Sequence, residues 1–152
     1  MRALIQRVKS ASVSVDGKIV GSAGEGLFVL VGVFDTDTET DASALAERAA
    51  KLRVFSDGNG KMNLSLLDIS GEALVVSNFT LCADNKKGNR PSYARAMEPG
   101  GAKKLYELFC EELEKIGVSS VGRGVFGADM TIDSVADGPV TVMLDTEDRR
   151  KK

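Results

Sequence analysis

The dipeptide Asp16-Gly17 constrains the fold more than any other feature of the sequence. It follows residues 11–15, in which small or apolar residues alternate with polar ones, and it leads directly into the segment 18–20. Alternation of this kind is typical of a half-buried β-strand, and an Asp-Gly pair between two strands favours a two-residue hairpin turn. The sequence therefore predicts that the chain begins with an antiparallel ribbon.

An acidic run, residues 35–41, precedes an alanine-rich segment whose apolar residues have helical spacing: Ala42, Leu45, Ala49 and Leu52. Negative charge is favourable at a helix N-terminus, and Thr38 or Thr40 can cap it. The same acids resemble the start of a calcium-binding loop. That loop needs a glycine and a glutamate where this chain has Thr40 and Ala46, so calcium binding is not predicted.

The rest of the sequence alternates strand patterns with one further helix. A second hairpin turn is predicted at residues 57–60, and the apolar segment 27–33 is typical of a strand covered on both faces. The second helix is predicted between Pro99 and Gly117. With no internal repeat or linker, we expect one domain over residues 1–152: a mixed α/β fold with a largely antiparallel, barrel-like sheet and two main helices.

The absence of histidine from the 152 residues excludes several kinds of active site. A Ser-His-Asp or Cys-His nucleophile cannot be built, and neither can a metal site that uses imidazole. The two cysteines, Cys82 and Cys110, are too far apart in sequence for a CxxC pair and are expected to be free thiols. No metal ion and no cofactor are predicted.

The charge balance argues against a protein coated in positive charge. Lysine and arginine total 20 against 22 acidic residues, which gives a net charge of −2. No DNA partner is therefore expected. Basic residues cluster only in the segment 84–95 and in the tail 149–152, and the acids just before the tail favour a solvated chain end.

Nothing in the sequence predicts a membrane segment or a signal peptide. The longest apolar stretch, residues 26–34, is far short of the roughly 20 residues that span a bilayer. Residues 1–9 carry three charges and no long apolar region. We expect a cytoplasmic protein that does not bind membranes.

Two segments place polar or conformationally special residues beside apolar strands. Residues 77–81 follow a buried strand, and residues 137–141 contain a Gly-Pro step that is predicted to open a strand. Either segment can line a pocket. On spacing alone, ordinary structure is the favoured interpretation of each segment, namely a capped strand end and a β-turn.

Six segments, in this order and spacing, resemble the D-aminoacyl-tRNA deacylases: MRALIQRVKSASVSV (1–15), KMNLS (61–65), SNFTL (77–81), KKGNRPS (86–92), GVFGADM (124–130) and DGPVT (137–141). The resemblance covers nearly the whole chain. It implies an esterase that removes D-amino acids, and also mischarged glycine, from the 3′ end of tRNA. It also implies a homodimer with active sites at the subunit interface.

The resemblance assigns roles to individual residues. The Gly138-Pro139 pair is expected to be cis and to enter the partner's pocket, where its carbonyl oxygens hold the substrate amino group and an L side chain collides. Arg7 is expected to brace this loop. The other implied residues are the catalytic set Ser77, Phe79 and Thr80, the substrate-binding residues Asn78 and Met130, and the tRNA-binding residues Lys86, Lys87 and Arg90.

Two positions depart from the family pattern. Asn78 stands where glutamine is usual, and Ala136 stands where an asparagine usually opens the Gly-Pro motif. Both departures put local hydrogen bonds in doubt, but neither changes the Gly-Pro pair. Chiral selection is therefore expected to persist, while the position or tightness of the pocket can differ.

The sequence leaves the mechanism open between two routes. Thr80 is the obvious side-chain nucleophile, but it is internal and has no histidine to activate it, and Lys86 lies in a polar loop. The second route, which the sequence favours, uses backbone amides near Phe79 and Thr80 for the oxyanion and the ribose 2′-hydroxyl of the substrate to organise water. Two other functions remain: a non-catalytic protein that binds the tRNA end, and a hydrolase of small D-amino esters.

Overall fold

The computed structural model describes residues 1–150, with side chains described through residue 148. The predicted solvated tail, residues 149–152, lies outside the described side chains. The chain opens with strand β1 (Arg2–Val15) and strand β2 (Lys18–Ala23), which pair antiparallel. Asp16 and Gly17 have φ angles of 50° and 77°, the backbone of a type I′ turn. The predicted hairpin is confirmed.

The remaining elements alternate in chain order. They are β3 (Gly26–Gly32), α1 (Glu39–Ala50), β4 (Phe55–Ser56), β5 (Met62–Leu64), β6 (Glu72–Ser77), a 3₁₀ helix (Phe79–Cys82), α2 (Pro99–Ile116), β7 (Val121–Arg123), β8 (Thr131–Asp145) and α3 (Glu147–Arg150). Both main helices and the second hairpin, β4–β5, are confirmed. The short α3 was not predicted.

The main sheet has the strand order β2-β1-β3-β6-β7, with β8 on the other side of β1. The long strand β1 pairs antiparallel with β2, β3 and β8, whereas β3–β6 and β6–β7 are parallel. The parallel pairs follow from connections that pass through a helix, because parallel strands need a long crossover. The expected mixed α/β fold with a largely antiparallel sheet is confirmed.

Close backbone contact between β2 and β7 nearly closes the sheet into a barrel. A Cβ atom added to Gly21 would lie 2.4 Å from the carbonyl oxygen of Arg123, and one added to Gly122 would lie 2.3 Å from that of Ser22. No side chain fits at such distances, so glycine at these two positions permits the strands to meet.

The sheet has an apolar core on each face. On the outer face, the helices α1 and α2 pack against the strands through residues such as Leu45 and Phe109. Val8, Phe28 and Leu74 belong to a second cluster inside the barrel. Strand β3 contributes to both clusters, which confirms the prediction for residues 27–33. None of the described helices is long and apolar enough to cross a membrane.

Two acidic residues of the run 35–41, Asp37 and Asp41, form hydrogen bonds with other residues of the chain. The carboxylate of Asp41 accepts a hydrogen bond from the backbone N–H of Thr38 at 2.9 Å, where α1 begins. Asp37 is buried, and its carboxylate lies 2.5 Å from the amino group of Met1 and 2.6 Å from the backbone nitrogen of Phe34. The Met1 amine also donates to the hydroxyl of Thr146. This buried cluster joins β1, the start of α1 and the segment after β8.

Candidate active site

The Gly138-Pro139 pair lies on a loop that bulges from the middle of β8. In the ladder with β1, Gln6 pairs with Thr141 and Val8 pairs with Ala136. One residue of β1, Arg7, therefore faces the four residues 137–140 of β8. The prediction that the pair opens a strand is wrong, because regular pairing continues on both sides of the bulge. The Gly138-Pro139 peptide bond is cis.

Arg7 joins this loop to the segment before β4. Its Nε donates to the carbonyl oxygen of Asp137 at 2.9 Å and its Nη1 donates to that of Val54 at 2.6 Å. The carboxylate of Asp137 lies 3.3 Å from the same Nε. The Arg7 side chain is largely buried, whereas the Asp137 carboxylate is 39% exposed, so the two carbonyl contacts are better shielded from water than the charge contact. No pattern in the sequence predicts that the Val54 carbonyl or the Asp137 carboxylate contacts Arg7.

The loop has no space for a side chain at residue 138. A Cβ atom there would lie 2.1 Å from the backbone nitrogen of Val140, a distance that real Cβ atoms do not show. Gly138 and Pro139 are nevertheless exposed to solvent in the single chain. The bulge is therefore tightly folded on itself while its outer surface remains open.

The end of β6 places a second group of site residues. Asn78 caps the 3₁₀ helix, and its side-chain oxygen accepts from the Thr80 hydroxyl at 2.5 Å and from the Thr80 backbone nitrogen at 3.3 Å. The backbone N–H of Phe79 and the hydroxyl of Ser77 have no hydrogen-bond partner in the described part of the chain. One amide donor thus remains available at this strand end.

Met130 lies beside the same strand end. It packs against the cluster inside the barrel, and a Cβ atom added to Gly124 would lie 2.8 Å from the Met130 sulfur and 3.3 Å from a methyl of Val76. Val76 directly precedes Ser77, so Met130 borders the strand end from the barrel side. Glycine at position 124 leaves room for this contact.

The two groups do not meet within one chain. The strands lie in the order β6-β3-β1-β8, and neighbouring strands are about 4.8 Å apart, so the bulge and the end of β6 are separated by roughly 14 Å across the sheet. The two groups are also offset along the strand direction. Ser77 pairs with Val31 of β3, whereas Arg7 pairs with Leu27 of β3. Leu27 and Val31 are four residues apart on β3, so the offset along the strands is roughly 13 Å.

The predicted tRNA-binding residues lie on an exposed loop. Asp84 and Ser92 close the loop through two backbone hydrogen bonds of 2.8 and 3.0 Å. Within the described residues, Lys86, Lys87 and Arg90 form no ion pair. The carboxylate of Asp84 instead accepts from the backbone nitrogen of Lys86 at 2.9 Å. The three cationic groups therefore face solvent.

Arg95 also lies in the basic segment 84–95, but unlike Lys86, Lys87 and Arg90 it forms an ion pair. Its guanidinium pairs with the carboxylate of Glu147, and this pairing raises the pKa of Arg95. It also lies over the ring of Phe34, 4.9 Å from the centroid. Arg95 is thus engaged with the protein, and the exposed basic loop is reduced to three cations.

The cysteines do not supply a nucleophile. Cys82 and Cys110 are free and buried, and burial raises the pKa of Cys82 to about 11 and that of Cys110 to about 12. Both are therefore protonated thiols at neutral pH. Among the described residues, no group of three potential ligands could hold a metal ion.

Two clefts of the described chain lie away from the candidate site residues. Both border α1, one of them between Glu47 and Glu112 and the other between Arg48 and Leu144. Neither contains Ser77, Thr80 or the bulge. The candidate site is therefore two exposed surfaces of one chain and not a closed pocket.

The chain is similar to known proteins over nearly its whole length. The family model described as D-Tyr-tRNA(Tyr) deacylase matches residues 4–145. A D-aminoacyl-tRNA deacylase of Roseiflexus castenholzii is 54% identical over 96% of this chain and 92% of that protein. A solved structure named c-Myc DNA Unwinding Element Binding Protein is 38% identical, covers 96% of this chain and 99% of its own, and has a TM-score of 0.91.

A second solved structure shares the fold at low sequence identity. It is titled as a probable eukaryotic D-amino acid tRNA deacylase, and it matches 94% of this chain and 97% of its own with a TM-score of 0.83 at 17% identity. The family model spans nearly the entire chain, and the bacterial relative is well above the identity at which family membership is secure. The chain therefore belongs to the D-Tyr-tRNA(Tyr) deacylase family, whose members are D-aminoacyl-tRNA deacylases and thus hydrolases.

Proposed function

We propose that this chain cleaves the ester bond of D-aminoacyl-tRNA, releasing free tRNA and the D-amino acid, with the Gly138-Pro139 loop as its chiral filter. The observation that carries the proposal is the bulge of residues 137–140, which is exposed, lacks space for a side chain at 138 and is fixed by Arg7. A rigid and open backbone loop of this kind can recognise a substrate through carbonyl oxygens.

The filter acts on the geometry around the α-carbon of the substrate. If the loop carbonyls accept the substrate amino group and the reacting ester is held in place, the side chain of an L-amino acid points at the loop. The side chain of a D-amino acid points away from it. Glycine has no side chain to collide, so glycyl-tRNA passes the same filter and is proposed as a second substrate.

The site is proposed to form between two copies of the chain. Its two groups lie far apart in one chain, and both are exposed. Strand β8 pairs only with β1 in the described part of the chain, and its exposed large hydrophobic residues are Ile132, Val135 and Met143. Apolar exposure along an open strand edge favours association. A homodimer would carry the bulge of one subunit to the β6 end of the other.

The hydrolytic step is proposed to rely on the backbone and on the RNA. The N–H of Phe79, which has no hydrogen-bond partner in the described part of the chain, is proposed to stabilise the oxyanion. The Thr80 hydroxyl donates to Asn78, and among the described residues no basic side chain is hydrogen-bonded to it and able to take its proton. The 2′-hydroxyl of the terminal ribose is therefore proposed to organise the attacking water. Lys86, Lys87 and Arg90 are proposed to contact phosphates of the acceptor end, in the cytoplasm.

Substituting Thr80 by alanine is expected to leave substantial deacylation activity, within about tenfold of the unchanged protein, because the hydroxyl is not activated. Single-turnover assays with D-tyrosyl-tRNA measure the rate. The Thr80→Ser variant, which keeps a hydroxyl, is the matched control. Loss of all activity in Thr80→Ala with a folded protein, together with an acyl-enzyme trapped in the unchanged protein, would assign Thr80 as the nucleophile.

The proposed function is tested with three substrates: D-tyrosyl-tRNA, L-tyrosyl-tRNA and a small D-tyrosine ester. Cleavage of the D-aminoacyl-tRNA alone is the expected result. Binding without cleavage would indicate a tRNA-end binding protein, and cleavage of the small ester without any dependence on tRNA would indicate a general esterase. Duplex DNA is added as a competitor because one similar structure is named for DNA binding, and we expect it not to inhibit.

A further inference from the structure

The strand register at one end of the sheet places the 3₁₀ helix beside the side chain of Arg2. In the ladder, Arg2 of β1 pairs with Gly32 of β3 on one side and with Asp145 of β8 on the other. Side chains of directly paired residues point to the same face of a sheet. Gly32 has no side chain, and a Cβ atom there would lie 2.9 Å from the Cβ of Leu81. The 3₁₀ helix therefore occupies the position next to Arg2 that a side chain at residue 32 would fill.

The Arg2 guanidinium joins this helix to the end of β8. Its Nη1 donates to the carbonyl oxygen of Leu81 at 2.8 Å, and its Nε and Nη2 lie 2.9 and 2.8 Å from the Asp145 carboxylate. It also lies over the ring of the buried Phe34, 5.1 Å from the centroid. The Arg2 side chain is 28% exposed and that of Asp145 is 12% exposed, so water and salt screen these contacts only in part.

Arg2 is the one donor to the Leu81 carbonyl among the hydrogen bonds of the described residues. The last carbonyl groups of a helix have no partner within the helix and need one from outside it. The backbone N–H of Asp84, three residues further along, donates instead to the carbonyl of Ser92 at 2.8 Å. The guanidinium supplies the missing donor, and a charged donor forms a stronger hydrogen bond than a neutral one. Arg2 therefore anchors the end of the 3₁₀ helix.

We infer that Arg2 is a positioning residue for the hydrolytic step, because it holds the 3₁₀ helix in the orientation in which the backbone N–H of Phe79 can reach the oxyanion. The inference rests on the proposed function, in which that N–H stabilises the oxyanion. Phe79 is the first residue of the four-residue helix, and Leu81 is the third. An oxyanion donor acts over a distance of about 2.7–3.1 Å, so a small movement of the helix weakens it in the transition state.

The kinetic test separates positioning from stability. The Arg2→Met variant keeps the apolar stem and loses the guanidinium. We expect kcat for D-tyrosyl-tRNA to fall about tenfold while KM stays within about twofold, because the oxyanion forms only after the substrate has bound. The matched control is Arg48→Met, which removes another guanidinium. Arg48 donates to the Asp145 carbonyl oxygen at 2.9 Å and, among the described contacts, forms no hydrogen bond to the 3₁₀ helix, so its kcat is expected to stay within about twofold.

The Arg2→Lys variant provides a protein that keeps a positive charge beside Asp145. One ammonium group cannot reproduce the planar fork that contacts the carboxylate and the Leu81 carbonyl together. We therefore expect its melting temperature to stay close to that of the unchanged protein and its kcat to fall about tenfold. A kcat within about twofold of the unchanged protein in either Arg2 variant would overturn the inference, and so would an equal loss of kcat in Arg48→Met.

A measurement without substrate separates failure of the inference from failure of the proposed function. Protein labelled with ¹⁵N-phenylalanine gives one backbone amide signal in an NMR spectrum for each of its six phenylalanines. The Phe79 signal is expected to move in both Arg2 variants and to stay in place in Arg48→Met. An unmoved Phe79 signal in the Arg2 variants would overturn the inference. Absence of deacylation in the unchanged protein would instead contradict the proposed function.

Discussion

The Gly138→Ala variant is expected to cleave D-tyrosyl-tRNA at least about 100-fold more slowly in kcat/KM, because displacing a substrate-holding group by about 1 Å can have an effect of this size. The new methyl group would lie 2.1 Å from the Val140 nitrogen, so the loop backbone must move. The loop carbonyls proposed to hold the substrate amino group would move with it. Steady-state kinetics on charged tRNA measures the loss.

The matched control for this variant is Gly58→Ala. Gly58 lies in the turn between β4 and β5, and a Cβ atom there has no neighbour within 4 Å. We expect its kcat/KM to equal that of the unchanged protein. The melting temperature of Gly138→Ala is expected to fall only slightly, because the loop is exposed. Full activity in Gly138→Ala would show that the loop does not act as the chiral filter.

The Asp37→Ala variant is expected to lower the free energy of unfolding by about 3–5 kcal/mol, the usual result of removing one partner from a buried ion pair. The substitution would leave the Met1 amine and the Phe34 amide without the acceptor that each now contacts at 2.5 and 2.6 Å. The carboxylate and the amine are almost completely inaccessible to solvent, so water cannot replace the lost contacts. Urea denaturation measures the difference.

Two further variants control for charge and shape. Asp35→Ala removes an exposed carboxylate from the same acidic run and is expected to change the free energy of unfolding by less than about 0.5 kcal/mol. Asp37→Asn keeps an acceptor oxygen without the negative charge, and an intermediate loss is expected. Equal effects of Asp35→Ala and Asp37→Ala would show that the buried pair adds nothing to stability.

Local patterns were sufficient to predict most of the secondary structure. The Asp16-Gly17 turn depends on two residues that tolerate positive φ angles, and α2 begins at Pro99 and ends before Gly117, whose φ is 111°. Signals of this kind act within a few residues of the chain. They are therefore visible without any knowledge of what the elements pack against.

Contacts between distant segments were not visible in the same way. The bulge at 137–140 exists only relative to the register of β1, so the sequence predicted a strand start where the structure has a strand interior. Pairing of Arg95 with Glu147 joins residues 52 positions apart, and no local pattern marks it. The resemblance supplied the candidate site residues as expectations, but the distance between the two groups within one chain follows only from the strand order.

The near-closure of the barrel at Gly21 and Gly122 limits how the protein can associate with itself. The backbones of β2 and β7 lie against each other there, whereas β8 pairs only with β1 in the described part of the chain and leaves its other edge open. A sheet with two open edges can add strands at both and grow into a fibre. If β8 is the edge through which two copies associate, as proposed, that edge is used up in the pair and the proposed assembly would end at a homodimer.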